Sequence, residues 1–347
     1  MAERTDDNAE RKPVTPIDPE HPPLRVWLEV TRLSNLPTVF SNVLVGLVMG
    51  LHAWANSLQS YGLTVGVAAD HILLWRLLVD GGWLLMIAAG CFYAAGMVLN
   101  DVCDAAYDRE HRPHRPIPSG RLARRTAIIA VITFNLLGLL LVARFGLEAT
   151  LLAIALLLAS VGYNLLHRRS ELAVVLMGVC RSLLYLLAAV SVTVIIEPLI
   201  VPETLEHYQF WFWRSTLPFA IILTLYVAAF TYLARRENDA IVGRRSLLAW
   251  GLPVLAIAGV LSVMPNTLVM AALTAAVGLT VLLWLGRCAQ QVTAAPPQTK
   301  QAVMGWLAGL CLIDAYFLAL MGRPAFVGAA LVCFVATVLW QRKVMGT

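Results

Sequence analysis

The sequence predicts an all-α membrane protein, a polytopic bundle of nine or ten transmembrane helices, from three observations. Hydrophobic residues make up 59% of the 347 positions, and charged residues make up 14%. A soluble domain usually has about 25% charged residues. The mean hydropathy is +0.74. Apolar windows of about 20 residues, the length that crosses a bilayer, recur along nearly the whole chain. No single soluble core could bury so much apolar surface, so a soluble globular protein is excluded.

Ten apolar segments account for most of the chain. Their approximate bounds are 36–55, 82–101, 126–144, 147–166, 171–196, 214–234, 247–264, 267–286, 303–321 and 324–341. Only short turn signals, at 264–266 and 322–324, separate two of the pairs. Each of these pairs is either a hairpin or one kinked helix, so nine spans stay open as an alternative.

The polar, proline-rich residues 1–24 precede the first apolar segment. The pattern of a cleavable signal peptide is absent there, so we expect a flexible cytoplasmic tail followed by one transmembrane domain over 25–347. The six cysteines are scattered, without CxxC spacing, and most fall inside apolar spans. This favours small buried side chains over disulfides or a thiolate metal site.

The basic residues predict the topology. With the N-terminus inside, most of the 26 Lys and Arg residues fall in segments that face the inside. The positive-inside rule then places both termini and the charged loops in the cytoplasm. Because these residues are divided among loops between apolar spans, the net charge of +5 indicates topology and not a nucleic-acid surface.

Three aspartates, Asp101, Asp104 and Asp108, follow directly from the second apolar segment. They are three and four residues apart, so on a helix they share one face. Carboxylates this close repel each other and are costly near a membrane without a partner. Mg²⁺ prefers oxygen ligands and is commonly shared between carboxylates and substrate phosphates. The spacing predicts a Mg²⁺ site, with a solvated helix end as the alternative.

Basic residues follow the aspartates directly. They are Arg109, His111, Arg112, His114 and Arg115, interrupted by three prolines. Guanidinium groups beside a carboxylate cluster suit a pyrophosphate held by metal on one side and by arginine on the other. We expect Arg112 and Arg115 to supply this positive charge.

The stretch Asn100-Asp101-x-x-Asp104-x-x-x-Asp108, with the run from Arg112 to Gly120 (Arg-Pro-His-Arg-Pro-Ile-Pro-Ser-Gly), closely resembles the first aspartate-rich motif of UbiA-type intramembrane prenyltransferases. Other elements agree. They are Arg32-Leu33-Ser34-Asn35-Leu36-Pro37, Asn42 and Tyr163-Asn164, so the resemblance covers about residues 25–320. It implies a helical bundle around a central cavity that opens laterally to lipid. There a polyprenyl group would pass from a prenyl diphosphate to an unidentified small acceptor, with Mg²⁺ as cofactor and with release of pyrophosphate.

The resemblance also implies roles for single residues. Asn100 would orient the metal ligands or bind pyrophosphate, and Asn42 would contact substrate. Tyr163 and Tyr232, near the ends of spans four and six, could stabilise an allylic cation through their rings, although ordinary packing is the alternative. Where related enzymes carry a lysine after span four, this chain has Arg168, which is either a pyrophosphate clamp or a positive-inside anchor.

The second aspartate motif of the family, DxxxD at the end of span six, is altered here. Glu237 and Asp239 are two residues apart, so on a helix only one of them faces the cavity. We favour Glu237 as a metal ligand, with Arg235 or Arg236 contacting pyrophosphate. The chain is then an altered enzyme or a homologue that only binds or transports a prenyl lipid, and the intact first motif favours the enzyme. A membrane terpene cyclase is a further alternative.

Two charges fall within predicted spans. Arg181 lies in span five and Asp314 in span nine. Charges inside a membrane are usually paired or functional. These two are either partners of each other or separate parts of the polar wall of the cavity.

Overall fold

The structure is a computed structural model that describes residues 18–63, 75–196, 205–235, 267–294 and 297–345. Over these ranges it contains helices and connecting turns and no strand. The α-helices, in chain order, are α1 Leu24–Val30, α2 Leu36–Ser60, α3 Trp83–His111, α4 Arg124–Val142, α5 Gly146–Leu166, α6 Ala173–Ile196, α7 Leu205–Arg235, α8 Leu268–Thr293, α9 Thr299–Leu320 and α10 Pro324–Met345.

The all-α prediction is confirmed. Each predicted apolar segment except 247–264 coincides with one of the helices α2 to α10, and that segment lies outside the described residues, as does the turn at 264–266. Eight stretches in the described part of the chain are long and apolar enough to cross a membrane, and Arg124–Leu166 contains both α4 and α5. Between α9 and α10 the chain turns at Gly322, whose φ of 71° is left-handed, so these segments form a hairpin.

Several helices extend beyond the predicted apolar segments. The largest extension is in α3, which continues from the predicted end at 101 to His111. Polar residues do not register in an apolar window, but they continue a helix once it has formed. The aspartate motif therefore lies on the last turns of a long helix.

Helices α2 and α9 form the centre of the bundle. In their apolar windows 83% and 78% of residues are buried, against 22% in Arg124–Leu166. Helix α2 contacts α3, α6, α7, α9 and α10. It approaches α6 most closely at Gly46 and Gly50, where an added Cβ would come within 2.5 Å of the Tyr185 carbonyl oxygen and 2.3 Å of the Ala189 carbonyl oxygen. Small residues at this spacing allow two membrane helices to pack backbone to backbone.

The outer helices present large apolar side chains to the surroundings. On α4, Ile132, Leu136 and Leu140 recur every four residues and are 53%, 62% and 71% exposed. On α5, Leu151 and Leu158 are 56% and 64% exposed. Continuous apolar faces of this kind mark contact with lipid or with another protein. These exposed apolar faces agree with the high mean hydropathy of the sequence.

Part of the predicted N-terminal tail is held against the bundle. Residues 1–17 lie outside the described residues. The Ala123 amide donates a hydrogen bond of 2.8 Å to the Pro19 carbonyl oxygen, and the Thr126 hydroxyl donates one of 2.8 Å to a Glu20 carboxylate oxygen. These contacts fix residues 19 and 20 against the beginning of α4, so this part of the predicted flexible tail is ordered.

Candidate active site

The three predicted aspartates lie on the last turns of α3 and are buried. Asp101 is 5% exposed, Asp104 is 6% exposed and Asp108 is fully buried. Isolated carboxylates would be very costly at such burial. Each of them is paired with arginine, and those arginines come from three different parts of the chain.

Arg115 pairs with two of the carboxylates. Its Nη1 atom lies 2.7 Å from Asp108 Oδ2 and 3.3 Å from Asp101 Oδ1. The chain reverses directly after α3, where the Arg112 amide donates to the Asp108 carbonyl oxygen at 2.8 Å, and this brings Arg115 back over the helix. The Arg112 side chain is exposed and makes no described hydrogen bond or ion pair. Of the two arginines predicted to supply charge here, Arg115 contacts the carboxylates and Arg112 does not.

Arg32 reaches the same carboxylates from the segment before α2. Its Nη2 atom donates to Asp101 Oδ1 at 3.2 Å and to Asn100 Oδ1 at 3.4 Å. Its backbone has a φ of 48°, the only left-handed value for a non-glycine residue in the described ranges. Such a conformation costs about 1–2 kcal/mol and persists where the surrounding structure requires it. The turn between α1 and α2 therefore places Arg32 at the aspartates.

The turn between α5 and α6 supplies the partners of Asp104. Asp104 Oδ1 lies 2.6 Å from Arg168 Nε and 3.1 Å from His167 Nε2. The Arg168 guanidinium also lies 3.8 Å from the centre of the Tyr107 ring, a cation–π contact. Burial opposes the charge of Arg168, but its hydrogen bond and its attraction to Asp104 raise its pKa above the ordinary value. Arg168, the predicted pyrophosphate clamp, thus contacts the aspartate motif itself.

Arg235, at the end of α7, supports this turn. Its Nη1 atom donates to the Ser170 carbonyl oxygen at 2.8 Å, and Nη2 donates to the His167 carbonyl oxygen. Arg235 therefore holds the backbone that carries Arg168 and has no described contact with the carboxylates. Tyr232, one turn earlier, is half-buried. Arg236 and Glu237 lie outside the described residues, so the predicted metal-ligand role of Glu237 stays a prediction.

We call these charged groups the end cluster, because they all lie at one end of the helix bundle. The end cluster consists of Arg32, Asp101, Asp104, Asp108, Arg115, His167 and Arg168. It joins the turn between α1 and α2, the end of α3, the loop after α3 and the turn between α5 and α6. The predicted topology requires these four segments to lie on one side of the membrane, and their contacts agree with this.

A cavity extends from the end cluster into the bundle between α2, α3, α4, α5 and α6. It contains about 810 Å³ of empty space, including the open space at its mouth. Arg32, Asn100 and Tyr163 line it beside the end cluster, and Phe92 and Ala89 line it further along α3. From Asn100 to Ala89 the helix rises roughly 16 Å. A cavity with a polar mouth and an apolar interior of this length suits an amphipathic ligand with a charged end.

Asn100 lies at the junction of the two regions. Its amide group accepts a hydrogen bond from Arg32 and donates one of 3.1 Å to Asn164 Oδ1 on α5. Asn164 in turn donates to the Ser160 carbonyl oxygen at 2.9 Å. This chain of amides fixes α3 against α5 at the mouth of the cavity, with Tyr163 beside it.

A second polar group, which we call the buried network, lies deeper in the bundle. It consists of Thr38, Ser41, Asn42, Arg181, Tyr185 and Asp314. Arg181 Nη1 donates to Asn42 Oδ1 at 3.0 Å, and Asn42 Nδ2 donates to Asp314 Oδ2 at 2.8 Å. The two predicted intramembrane charges are thus joined through one amide. Asn42 is fully buried and engages both of these charges, so its predicted contact with substrate stays a prediction.

The donor set of the end cluster fits a hard cation such as Mg²⁺. Asp101 and Asp108 both reach the same nitrogen of Arg115, and Asp108 Oδ1 is buried without a hydrogen-bond partner in the described ranges. As the side chains stand, no three His, Cys, Asp or Glu residues in the described ranges are grouped to hold a metal, because Asp104 pairs with Arg168 and His167. Holding a cation here requires the carboxylates to exchange arginine partners.

The sequence did not indicate a role for every residue of the end cluster and its surroundings. Arg32 and Asn164 stood out only as parts of wider sequence elements, His167 did not stand out, and none of the three carried a spacing signal. Each lies more than 60 residues from its partner in the chain. The position of Arg32 at the head of a conspicuous Arg-Leu-Ser-Asn-Leu-Pro element was the only available indication.

The fold and the site define a multi-pass integral membrane protein with a charged site at one end of its bundle and an apolar cavity beneath it. This chain belongs to the UbiA prenyltransferase family, whose family model matches residues 60–297. The family predicted from the aspartate motif is thereby confirmed.

Curated relatives match parts of the chain. Digeranylgeranylglyceryl phosphate synthase of Methanoregula boonei is 44% identical over 85 residues, which are 24% of this chain and 29% of that protein. The protein of the same name from Korarchaeum cryptofilum is 30% identical over 165 residues, 47% of this chain and 50% of that one. 4-Hydroxybenzoate octaprenyltransferase of Psychromonas ingrahamii is 33% identical over 119 residues, 31% and 42% of the two chains. The matches span half or less of the length of these relatives.

Solved structures resemble the whole fold. The apo structure of a UbiA homologue from Aeropyrum pernix K1 has a TM-score of 0.52 at 19% identity, covering 85% of this chain and 96% of that one. A UbiA homologue from Archaeoglobus fulgidus, bound to DMAPP and Mg²⁺, has a TM-score of 0.50 at 15% identity, covering 85% and 99%. At these identities the likeness shows the shared helical fold.

Proposed function

We propose that this protein transfers a polyprenyl group from a prenyl diphosphate to a small acceptor within the membrane. The observation that carries the proposal is the position of the end cluster next to an apolar cavity: Arg32 lines the cavity and also pairs with the buried Asp101. The diphosphate would lie at the end cluster and the hydrocarbon chain in the cavity. In this proposal one transmembrane domain from residue 25 onwards carries the activity, and the distribution of basic residues supports a cytoplasmic position for the end cluster.

Mg²⁺ is the proposed cofactor, held by Asp101, Asp104 and Asp108, and when bound it neutralises charge on the departing pyrophosphate. Membership of the family supports this assignment, as does the homologue bound to DMAPP and Mg²⁺. The buried, unpartnered Asp108 Oδ1 is the ligand atom with no competing partner in the described ranges.

The arginines of the end cluster have two tasks in this proposal. With donor absent they stabilise the aspartates, and with donor bound Arg32, Arg115 and Arg168 turn to the phosphate oxygens. Arginine is suited to both, because its planar fork matches carboxylates and phosphates alike. Arg235 keeps Arg168 in place by holding the turn that carries it.

In the reaction the bond between C1 of the prenyl chain and the diphosphate oxygen breaks, and its electron pair leaves with pyrophosphate. The acceptor forms a bond to C1 and releases a proton. The allylic cation character at C1 requires a dry cavity, which apolar residues such as Phe92, Leu156 and Leu184 provide. Tyr163 lines the cavity beside Asn100 and offers an aromatic face to this charge.

The test is pyrophosphate release by the purified protein with geranylgeranyl diphosphate, Mg²⁺ and a panel of acceptors. The acceptors tested are a phosphate-bearing glycerol ether and 4-hydroxybenzoate, which are chosen from the names of the relatives. We expect release that requires Mg²⁺ and one acceptor class, and that is lost in Asp104→Asn. Release without any acceptor, together with a cyclic hydrocarbon product, indicates a terpene cyclase. Binding of the diphosphate without release under any condition indicates a lipid-binding homologue.

A further inference from the structure

The cavity wall contains polar side chains that a hydrocarbon chain does not use. Arg181, Tyr93, Asn135 and Ser160 line the same cavity as the apolar residues, and they come from four different helices. Tyr93, Asn135 and Arg181 each donate a hydrogen bond within the protein, but a hydrocarbon chain offers their remaining donors and acceptors no partner. A second, polar ligand in the cavity provides such partners.

Arg181 is the most demanding of these groups. It is 7% exposed, and no other arginine or lysine in the described ranges is classed as buried. Nη1 donates to Asn42 Oδ1 at 3.0 Å and Nη2 donates to Thr38 Oγ1 at 3.1 Å. Each terminal nitrogen of a guanidinium carries two N–H groups. Each therefore retains one further donor on a side chain that lines the cavity.

Asp314 compensates the charge of Arg181 without touching it. The Asp314 carboxylate is fully buried and accepts hydrogen bonds from Ser41, Asn42 and Tyr185. Asn42 separates it from Arg181 by one neutral amide. A direct carboxylate partner would occupy both arms of the guanidinium fork. Asp314 balances the charge through the amide of Asn42, and one N–H on each arm of the fork remains for a ligand.

Arg181 is separate from the end cluster. No described hydrogen bond or ion pair joins it to Asp101, Asp104 or Asp108. Its partners Thr38 and Asn42 lie in the first two turns of α2, roughly 3 and 9 Å along the helix from its first residue, Leu36. The link between the two regions is Tyr93, whose hydroxyl donates to the Arg32 carbonyl oxygen at 3.0 Å and whose ring centre lies 6.0 Å from the Arg181 guanidinium.

We infer that Arg181 binds an anionic oxygen group of the acceptor, a phosphate or a carboxylate, with Asn42 and Asp314 as positioning residues. This inference rests on the proposed prenyl transfer, in which the end cluster holds the donor. The donor chain is uncharged beyond its diphosphate, so the anion at Arg181 belongs to the second substrate. Its anchor in the cavity leaves the nucleophile of the acceptor free to face C1 of the donor.

The experiment measures binding to the purified protein in neutral-lipid nanodiscs. The probes are two matched pairs: 4-hydroxybenzoate with 4-hydroxybenzyl alcohol, and geranylgeranylglyceryl phosphate with geranylgeranylglycerol. The variants are Arg181→Gln, Arg181→Lys and the charge-balanced double variant Arg181→Gln/Asp314→Asn. Arg144→Gln is the control, since Arg144 is exposed in the turn between α4 and α5.

We expect the wild type to bind the anionic member of one pair at least tenfold more tightly than its neutral partner. Arg181→Gln and the double variant should lose this preference, Arg181→Lys should keep part of it, and Arg144→Gln should keep all of it. Affinity for geranylgeranyl diphosphate should change less than threefold in every variant. The pair that shows the preference identifies the anion as phosphate or carboxylate.

Three results overturn the inference: an anion preference that survives Arg181→Gln in a folded protein, a loss of donor affinity as large as the loss of anion affinity, and no anion preference in the wild type. Product formation in the same samples separates this inference from the proposed function. Arg181-dependent anion binding without prenyl transfer contradicts only the proposed function. Transfer to an anionic acceptor at the wild-type rate in Arg181→Gln contradicts only the inference.

Discussion

The end cluster and the buried network use the same residue types in opposite ways. In the end cluster arginine and aspartate meet directly, and the side chains of Arg32 and Arg168 are 38% and 39% exposed. In the buried network Arg181 is 7% exposed, Asp314 is fully buried, and the amide of Asn42 separates them. One region has partly exposed cations beside buried carboxylates, and in the other both charges are buried.

The two ways of pairing arginine with aspartate suit different functions. Ion pairs with partly exposed arginines contribute little to stability, so replacing one partner by another costs little. A buried charge that loses its counter-charge is costly, so the buried network has to stay intact. Partner exchange suits a site that alternates between its own carboxylates and a diphosphate. A fixed guanidinium suits recognition of one group of one ligand.

The largest expected effect lies in the buried network. Asp314→Asn keeps the shape and most hydrogen bonds but leaves the charge of Arg181 without compensation, so the free energy of unfolding should fall by about 3–5 kcal/mol. Chemical denaturation in detergent micelles measures this. Arg181→Gln/Asp314→Asn should recover part of the loss. A double variant that is less stable than Asp314→Asn alone would contradict the coupling of these two charges.

The next effect lies in the end cluster and concerns turnover. Asp104→Asn removes a proposed metal ligand and should lower the rate of pyrophosphate release by about 10²–10³-fold. The loss of its ion pair with the partly exposed Arg168 should change the free energy of unfolding by only about 0–1 kcal/mol. Asp80→Asn, an exposed aspartate before the other end of α3, is the matched control. A large loss of stability in Asp104→Asn would remove the contrast between the two regions.

A smaller effect is expected at Arg235, which holds the turn that carries His167 and Arg168. Arg235→Gln removes the hydrogen bonds to the carbonyl oxygens of His167 and Ser170, worth about 0.5–1.5 kcal/mol each. Donor affinity should then fall by up to about tenfold, because Arg168 is held less firmly. Titration with geranylgeranyl diphosphate measures it. If Arg168→Gln/Arg235→Gln is weaker than Arg168→Gln alone by the same factor, Arg235 acts independently of Arg168.

The smallest effect is expected at an exposed ion pair outside both regions. Arg121 donates two hydrogen bonds to the Glu29 carboxylate, of 2.7 and 3.0 Å. Hydrogen bonding to Glu29 raises the pKa of Arg121 above its ordinary value. Because both side chains are partly exposed, Glu29→Gln should lower the free energy of unfolding by about 1 kcal/mol or less. Thermal unfolding at low and high salt checks this. A loss as large as that of Asp314→Asn would show that exposure does not govern these pairs.

The sequence was sufficient for the regular parts of the molecule. Apolar segments of bilayer length predicted the long helices, because both depend on local composition. The spacing of Asp101, Asp104 and Asp108 predicted their common helix, and proximity in the chain predicted that Arg115 lies beside them. Each of these inferences uses residues close together in the chain.

The remaining parts depend on contacts between distant segments. The loop geometry after α3 turns Arg115 inward and leaves Arg112 outside, although the two are three residues apart. Arg32 reaches Asp101 across 69 residues of sequence, from a turn in which its own backbone is left-handed. Arg181 and Asp314 were paired as one of two alternatives, but the amide of Asn42 between them follows from the close packing of α2 on α6.

The measurement that tests the account most directly is the dissociation constant of geranylgeranyl thiodiphosphate in the presence of Mg²⁺. This donor analogue has a poor leaving group, so it is not consumed during the titration. The proteins compared are the wild type, Arg115→Gln and Arg181→Gln. The account predicts at least tenfold weaker binding in Arg115→Gln, since a charged hydrogen-bond donor to the diphosphate contributes about 1.5–3 kcal/mol. It predicts a change of less than threefold in Arg181→Gln. Weaker binding in Arg181→Gln together with unchanged binding in Arg115→Gln would contradict it, because the donor diphosphate would then lie in the buried region and not at the end cluster.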